Sequence, residues 1–144
     1  MEDIFKNCPP VAIIHNISKN QIRYLNSRIK GYEFGLEVRY LLMIHDNPGC
    51  SQDDLVNLYG ESKSNVAKAL KKLEKNSLIR RQINPDNRRK YMLETTPSGD
   101  KAADKIRKIS KDWERDVGFI GDEELKNKLK EIAVNGMKLI GDTL

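Results

Sequence analysis

The side chains with the clearest chemical capacity in this sequence are cationic, and they are clustered. Lys63, Lys68, Lys71, Lys72, Lys75, Arg80, Arg81, Arg88, Arg89 and Lys90 stand between Glu61 and Tyr91, where the only acids are Glu61, Glu74 and Asp86. This window carries more positive charge than the +5 of the whole chain, so the remainder is slightly acidic. Such a concentration suits a polyanion, because each phosphate neutralised releases condensed counterions. A solvated basic helix is the plainer alternative. Other chemistry finds no foothold. No glycine-rich phosphate loop, nucleophile elbow or carboxylate pair with a histidine partner is present. Asp53-Asp54 and Glu123-Glu124 fall in first helical turns, where negative charge complements the helix dipole. His15 and His45 lack neighbours at metal-ligand offsets, and Cys8 and Cys50 lack CxxC spacing. We therefore expect no enzyme, no metal and no cofactor.

The elements that must position the cations follow from periodicity and caps. Ile14, Ile17, Ile22, Leu25 and Ile29 form one stripe of a first helix over Val11–Ile29, preceded by Pro9-Pro10. Leu36–Asp46 reads as a buried second helix stopped at Asn47-Pro48-Gly49. Ser51 with Asp54 makes a capping-box-like start for a third helix, which Gly60 closes. Ser62 caps a fourth, running through Asn76. At 100° per residue, Val66, Leu70 and Leu73 of this fourth helix lie within about 60° of one another, while Ser64, Lys68, Lys71 and Lys75 gather opposite. Ser64 and Asn65 sit in its first turn, where a helix entering a groove meets base edges, and Lys68, Lys71 and Lys75 follow at phosphate-reaching spacing. Leu78–Ile83 and Arg88–Thr95 then read as a β-hairpin around Asn84-Pro85-Asp86-Asn87. An arginine at its basic tip, Arg88 foremost, suits a narrow minor groove. A long helix after Thr96-Pro97-Ser98-Gly99 carries Ala102, Ile106, Ile109, Trp113, Val117 and Ile120 and is expected to end at Gly121. Asp122 caps a last helix bearing Leu125, Leu129, Ile132, Leu139 and Ile140. Apolar stripes at both ends exceed what a small middle region covers, so burial shared with a second chain is expected.

A chain of 144 residues, 38% hydrophobic and 33% charged, fits one compact domain or a small domain with helical extensions. No stretch approaches the roughly 18 apolar residues of a membrane span, and Met1–Lys6 lacks a signal-peptide pattern. A cytoplasmic protein with reduced thiols is expected.

Helix, helix and basic hairpin in this order make a mainly α, winged helix-turn-helix fold. The run Ser62–Arg81, with Pro85–Lys90 and Leu93–Gly99, resembles the MarR family of transcriptional regulators over essentially the whole chain. The resemblance implies a homodimer on pseudo-palindromic double-stranded DNA. Residues 34–97 would be the winged DNA-binding domain, and 1–33 with 98–144 the helical dimerisation region. It implies that Ser62, Lys63, Ser64, Asn65, Lys68, Lys71, Lys72 and Lys75 form the recognition-helix contacts, with Arg88, Arg89 and Lys90 on the wing. Asp86 would orient the wing through an ion pair, and Arg88 would reach the minor groove. The family's Leu-Thr-x-x-Gly pattern appears as Thr95-Thr96-Pro97-Ser98-Gly99, a departure at the Leu position.

The resemblance further implies a cleft for a small anionic or phenolic effector, with His15, Arg39 and Tyr40 as candidate contributors. Some relatives instead sense oxidants through a cysteine in the N-terminal helix, a role for which Cys8 is the candidate here. Two alternatives to an effector-released regulator stay open at this point: a thiol-based sensor using Cys8, and a winged-helix module whose basic face meets an acidic protein.

Overall fold

The computed structural model describes residues 3–119 and 121–141. Within them the order is α1 (Pro10–Arg28), α2 (Val38–Asp46), α3 (Gln52–Tyr59), α4 (Lys63–Lys75), β1 (Ile79–Asn84), β2 (Asn87–Thr95), α5 (Pro97–Asp116) and α6 (Glu123–Leu139). The fold is mainly helical with one antiparallel hairpin, as expected. The chain divides into compact units of residues 1–113 and 114–144. In the first, α1 and most of α5 belong with the hairpin, so positions 33 and 98 separate parts of a single body.

Local signals set most boundaries. The Ser51 hydroxyl accepts from the Asp54 amide while the Asp54 carboxylate accepts from the Ser51 amide, the reciprocal box that starts α3. Gly60, at φ +61°, ends α3 in the left-handed region, and the Ser62 hydroxyl accepts from the Asn65 amide to start α4. Asp122 caps α6 through the Leu125 amide. Two boundaries differ from expectation. α2 starts at Val38 because Glu37, the residue at its cap, is committed to the preceding loop. α5 stops at Asp116, five residues before Gly121, because Gly118 at φ +79° turns the chain while Gly118 and Phe119 donate back to Arg115 and Glu114. Val117 therefore lies beyond the helix, and Ile120 lies outside the described residues.

The core gathers one face from each element of the first unit. Leu41 and Ile44 of α2, Leu55 of α3, Val66, Leu70 and Leu73 of α4, Leu93 of β2 and Ile106 of α5 are essentially inaccessible, and Leu25 anchors the C-terminal part of α1. Phe34 is fixed twice by Asn26, whose side chain accepts from its amide and donates to its carbonyl. At the hairpin base, Thr96 accepts from the Gly99 amide and donates to the Ser77 carbonyl. Gly99 thereby lies against the backbone just before β1, so closely that a β-carbon there would come within 1.9 Å of the Leu78 carbonyl oxygen. This contact gives the Thr-x-x-Gly spacing its physical reason. The second unit holds the end of α5 and α6, and α6 has no buried residue.

Gly99→Ala should therefore lower stability by about 3 kcal/mol, the upper end of over-packing costs. Gly136→Ala, in the open interior of α6, should gain up to about 1 kcal/mol of helix propensity. Paired urea melts with opposite signs check both, and a neutral Gly99→Ala would remove the close-contact argument.

Candidate nucleic-acid interface

The division of α4 into a dry and a cationic face is realised in full. Val66, Leu70 and Leu73 are 0% exposed, while Ser62, Lys63, Ser64, Asn65, Lys68, Lys71 and Lys75 all lie at the surface. Ser62 is occupied as the cap, and its hydroxyl also meets that of Ser64 at 3.2 Å. Lys63, Ser64, Asn65 and Lys68 are the outward polar side chains of the first two turns.

The hairpin departs from regular pairing where its charge is greatest. Ile83 pairs with Tyr91, but Asn84 pairs with Asn87, so Arg88, Arg89 and Lys90 have no cross-strand partner and bulge from the ladder. Side-chain amides hold the tip: Asn84 Oδ1 accepts from the Asp86 amide and Asn87 Oδ1 from the Arg89 amide. The ion pair expected of Asp86 is absent among the described residues; Asp86 is exposed on the turn. Local Asx geometry shapes this wing tip, and the sequence shows it only as Asn at both ends of the tetrad.

Half of the ten clustered cations are neutralised within the protein. Arg80 pairs with Glu94 at 3.0 Å and Arg81 with Glu74 at 2.9 Å, stiffening the hairpin and its join to α4. Lys72, expected among the DNA contacts, is instead turned toward the loop before α2. Its Nζ donates to Glu37 Oε1 at 2.5 Å and to the Glu33 carbonyl at 2.7 Å, 5.1 Å above the Tyr32 ring. Burial works to raise the Glu37 carboxyl. Donation from the Gly35 amide and from Lys72, with the Lys72 charge, outweighs it and leaves the pKa below the usual range. Lys63 and Lys90 share Asp53, at 3.9 and 3.4 Å. The cations with no ion pair among the described residues are Lys68, Lys71 and Lys75 on the open face of α4 and Arg88 and Arg89 on the bulge. Because one carboxylate reaches both Lys63 and Lys90, the start of α4 and the wing bulge are neighbours on the surface.

The candidate effector residues separate. Arg39 lies against the rings of Tyr59 and Tyr40 and donates to Glu61 Oε1 at 2.6 Å, while its buried Nε has no hydrogen-bond partner. Arg39 and Tyr40 line an open cavity of about 510 Å³ together with Leu36, Asn65, Lys68 and Ala69. His15 is exposed on α1 and is not part of that lining. Cys8 is exposed; Cys50 is half-buried, and burial and then the Asp54 charge raise its thiol pKa, which disfavours the nucleophilic thiolate. Among the described residues no group of three His, Cys, Asp or Glu could hold a metal ion, and no helix is long and apolar enough to cross a membrane.

Two short helices meeting at a glycine turn, the second cationic on its open face and followed by a basic hairpin, define a winged helix-turn-helix protein. Residues 36–91 match the model of the MarR family. The HTH-type transcriptional regulator BilQ of Clostridioides difficile (strain CD3) is 28% identical over 125 residues, covering 85% of this chain and 84% of its own. The crystal structure of MarR superposes with a TM-score of 0.82 at 25% identity, covering 96% of this chain and 97% of that one. The complex of S. aureus MepR with DNA shares the fold, with a TM-score of 0.69 at 19% identity over 89% and 96% of the two chains. The family model thus matches the winged region, and over most of its length the chain is similar to MarR-family transcriptional regulators, which are transcription factors rather than enzymes.

The Glu37–Lys72 pair makes its own prediction. A carboxyl whose folded pKa is depressed stabilises the fold above its unfolded value of about 4.3, and that contribution is lost as the pH falls through the folded value. Lys72→Ala should cost about 1–2 kcal/mol at pH 7, since the lysine side chain is itself 44% exposed. The stability advantage of the wild type over Glu37→Gln should shrink below about pH 4.3. Urea denaturation across this range checks both; a pH-independent difference would contradict the pairing.

Proposed function

We propose that this regulator binds double-stranded DNA as a homodimer in the cytoplasm, with α4 in the major groove and the wing bulge at the adjacent minor groove. The observation that carries this reading is the location of the unpaired cations. Lys68, Lys71, Lys75, Arg88 and Arg89 are left without acids on the two elements that a winged helix presents to a duplex. In this reading Asn65 and Ser64 meet base edges, Lys63, Lys68, Lys71 and Lys75 meet phosphates, and Arg88 enters the minor groove with Arg89 and Lys90 beside it. Exposed apolar residues support the dimer: Val11, Ile14 and Ile17 on α1, and Leu125, Ile132 and Leu139 on α6.

The same reading assigns a small anionic or phenolic effector to the cavity beside α4. Lys68 offers it a charge, Tyr40 an aromatic wall, and Leu36 and Ala69 an apolar floor, while Arg39 would have to exchange Glu61, which also lines the cavity with Glu37, for the incoming anion. Because Asn65 and Lys68 also belong to the DNA-reading face, an occupant of the cavity and a duplex would compete, which is the differential affinity any release mechanism needs.

DNA selected from a random pool should show two half-sites about 10 base pairs apart, centre to centre. Affinity for it should fall about 10³-fold or more between 50 and 200 mM salt. Arg88→Ala should cost about 1–3 kcal/mol, more on A·T-rich wing sites than on G·C-rich ones. A salt-insensitive complex would favour an acidic protein partner, and sedimentation as a monomer at micromolar concentration would refute the dimer. For the effector, benzoate titrated against the protein–DNA complex should release DNA from the wild type and fail to do so from Arg39→Ala; release from both would place the anion elsewhere.

A further inference from the structure

We infer that Asp53 is an intramolecular stand-in for a DNA backbone phosphate, holding Lys63 of α4 and Lys90 of the wing until a duplex displaces it. The inference rests on the DNA-binding reading above and adds a residue that opposes binding. Asp53 stands in the first turn of α3, but the start of that helix is already satisfied by Ser51 and Asp54, whose reciprocal hydrogen bonds are 2.7 and 3.2 Å. Its carboxylate is therefore free for another use. One oxygen, Oδ1, lies 3.9 Å from Lys63 Nζ, and the other, Oδ2, lies 3.4 Å from Lys90 Nζ. The two lysines come from the two elements that would flank a DNA strand, and a phosphodiester likewise offers two non-bridging oxygens.

The pairs are built to exchange. Lys63 is 79%, Lys90 55% and Asp53 47% exposed, so water and salt screen both contacts, and neither approaches the length of a strong charge-assisted hydrogen bond. The buried Glu37 pair with Lys72 is the contrast within the same cluster. A phosphate entering between Lys63 and Lys90 takes over both cations and leaves the Asp53 carboxylate beside a second anion. That repulsion is independent of base sequence. Asp53 thus weakens the phosphate part of binding on every duplex and leaves base-edge contacts with a larger share in choosing the site.

The test measures binding of the full chain to a fluorescent random-sequence 26-base-pair duplex by anisotropy at 50 mM salt. Asp53→Asn, which keeps the shape and removes the charge, should bind about 3- to 10-fold more tightly than wild type. Asp86→Asn, the same charge change on the exposed wing turn, measures the general effect of one added positive charge and should give a smaller gain. In a Lys63→Ala/Lys90→Ala background the gain from Asp53→Asn should shrink to that general effect. Equal gains from the two Asn substitutions, a gain that survives without the lysines, or weaker binding by Asp53→Asn would each overturn the inference. Should Asp53→Asn melt early, Asp53→Ser set against Asp86→Ser carries the same comparison with the same outcomes. Absence of duplex binding by the wild type at 50 mM salt would instead remove the DNA reading itself.

Discussion

The burial of Val66, Leu70 and Leu73 is the interaction on which the rest of this structure depends. A 13-residue helix is marginal on its own in water, so α4 persists because its apolar face is docked. The surface it docks on includes Leu41 and Ile44 of α2, Leu55 of α3 and Ile79 of β1, all buried with it. Fixing that face fixes the opposite one, since residues three and four apart along a helix share a side. Asn65, Lys68, Lys71 and Lys75 therefore point outward without needing any contact of their own. The chemistry of the open face is separated from the energetics of folding, which lets it be as cationic as a polyanion requires.

That freedom has a limit set by mutual repulsion among so many like charges. The fold answers it selectively. Glu37, Glu74 and Glu94 each take one cation that lies at the junctions between α4, the hairpin and the loop before α2. These acids sit where a pair also joins two elements or two strands, whereas Asp53 reaches two cations, Lys63 and Lys90, that face open solvent. The bulge adds a second device. By dropping Arg88, Arg89 and Lys90 out of the strand ladder, it frees the wing's cations from the alternation that would otherwise turn every second side chain back toward the hairpin's inner face.

Local signals made much of this legible in the sequence. The caps at Ser51, Ser62 and Asp122, the stop at Gly60 and the two faces of α4 each depend on residues within one or two turns, and each stands where spacing puts it. The misreadings are of a different kind. Lys72 shares the cationic run, and at 100° per residue it stands on the flank of α4 rather than with Lys71 and Lys75, but its partner Glu37 is 35 positions away and no local pattern announces it. Asp53 meets Lys63 and Lys90 only after the hairpin folds beside α3. The ion pair of Asp86 is implied by the resemblance of Asp86-Asn87-Arg88 to the family's wing motif, whereas here Asn84 and Asn87 hold the turn through amide geometry. The end of α5 was placed at the second of two glycines, since Gly118 and Gly121 are equally good stops by composition and only the backbone shows which adopts the left-handed conformation first at a helix end.

The two outermost helices follow a different rule from the core. Along the 19 residues of α1 only Leu25, near the C-terminal end, is buried, while Val11, Ile14 and Ile17 are 75%, 44% and 36% exposed. The helix is thus tied down at one end and presents apolar residues along the rest. In α6 the same imbalance is complete: 17 residues, a good N-cap, Leu139 at 88% exposure and no side chain buried. Caps and salt bridges do not stabilise such a helix by themselves, because most helical stability comes from docking an apolar face. In the homodimer proposed above, a second copy of the chain would supply such a face to each of these helices. It would also set the distance between two α4 helices, the quantity that a duplex reads as half-site spacing. The apolar residues farthest from the cationic face in sequence are therefore the ones that would decide how two such faces are presented together.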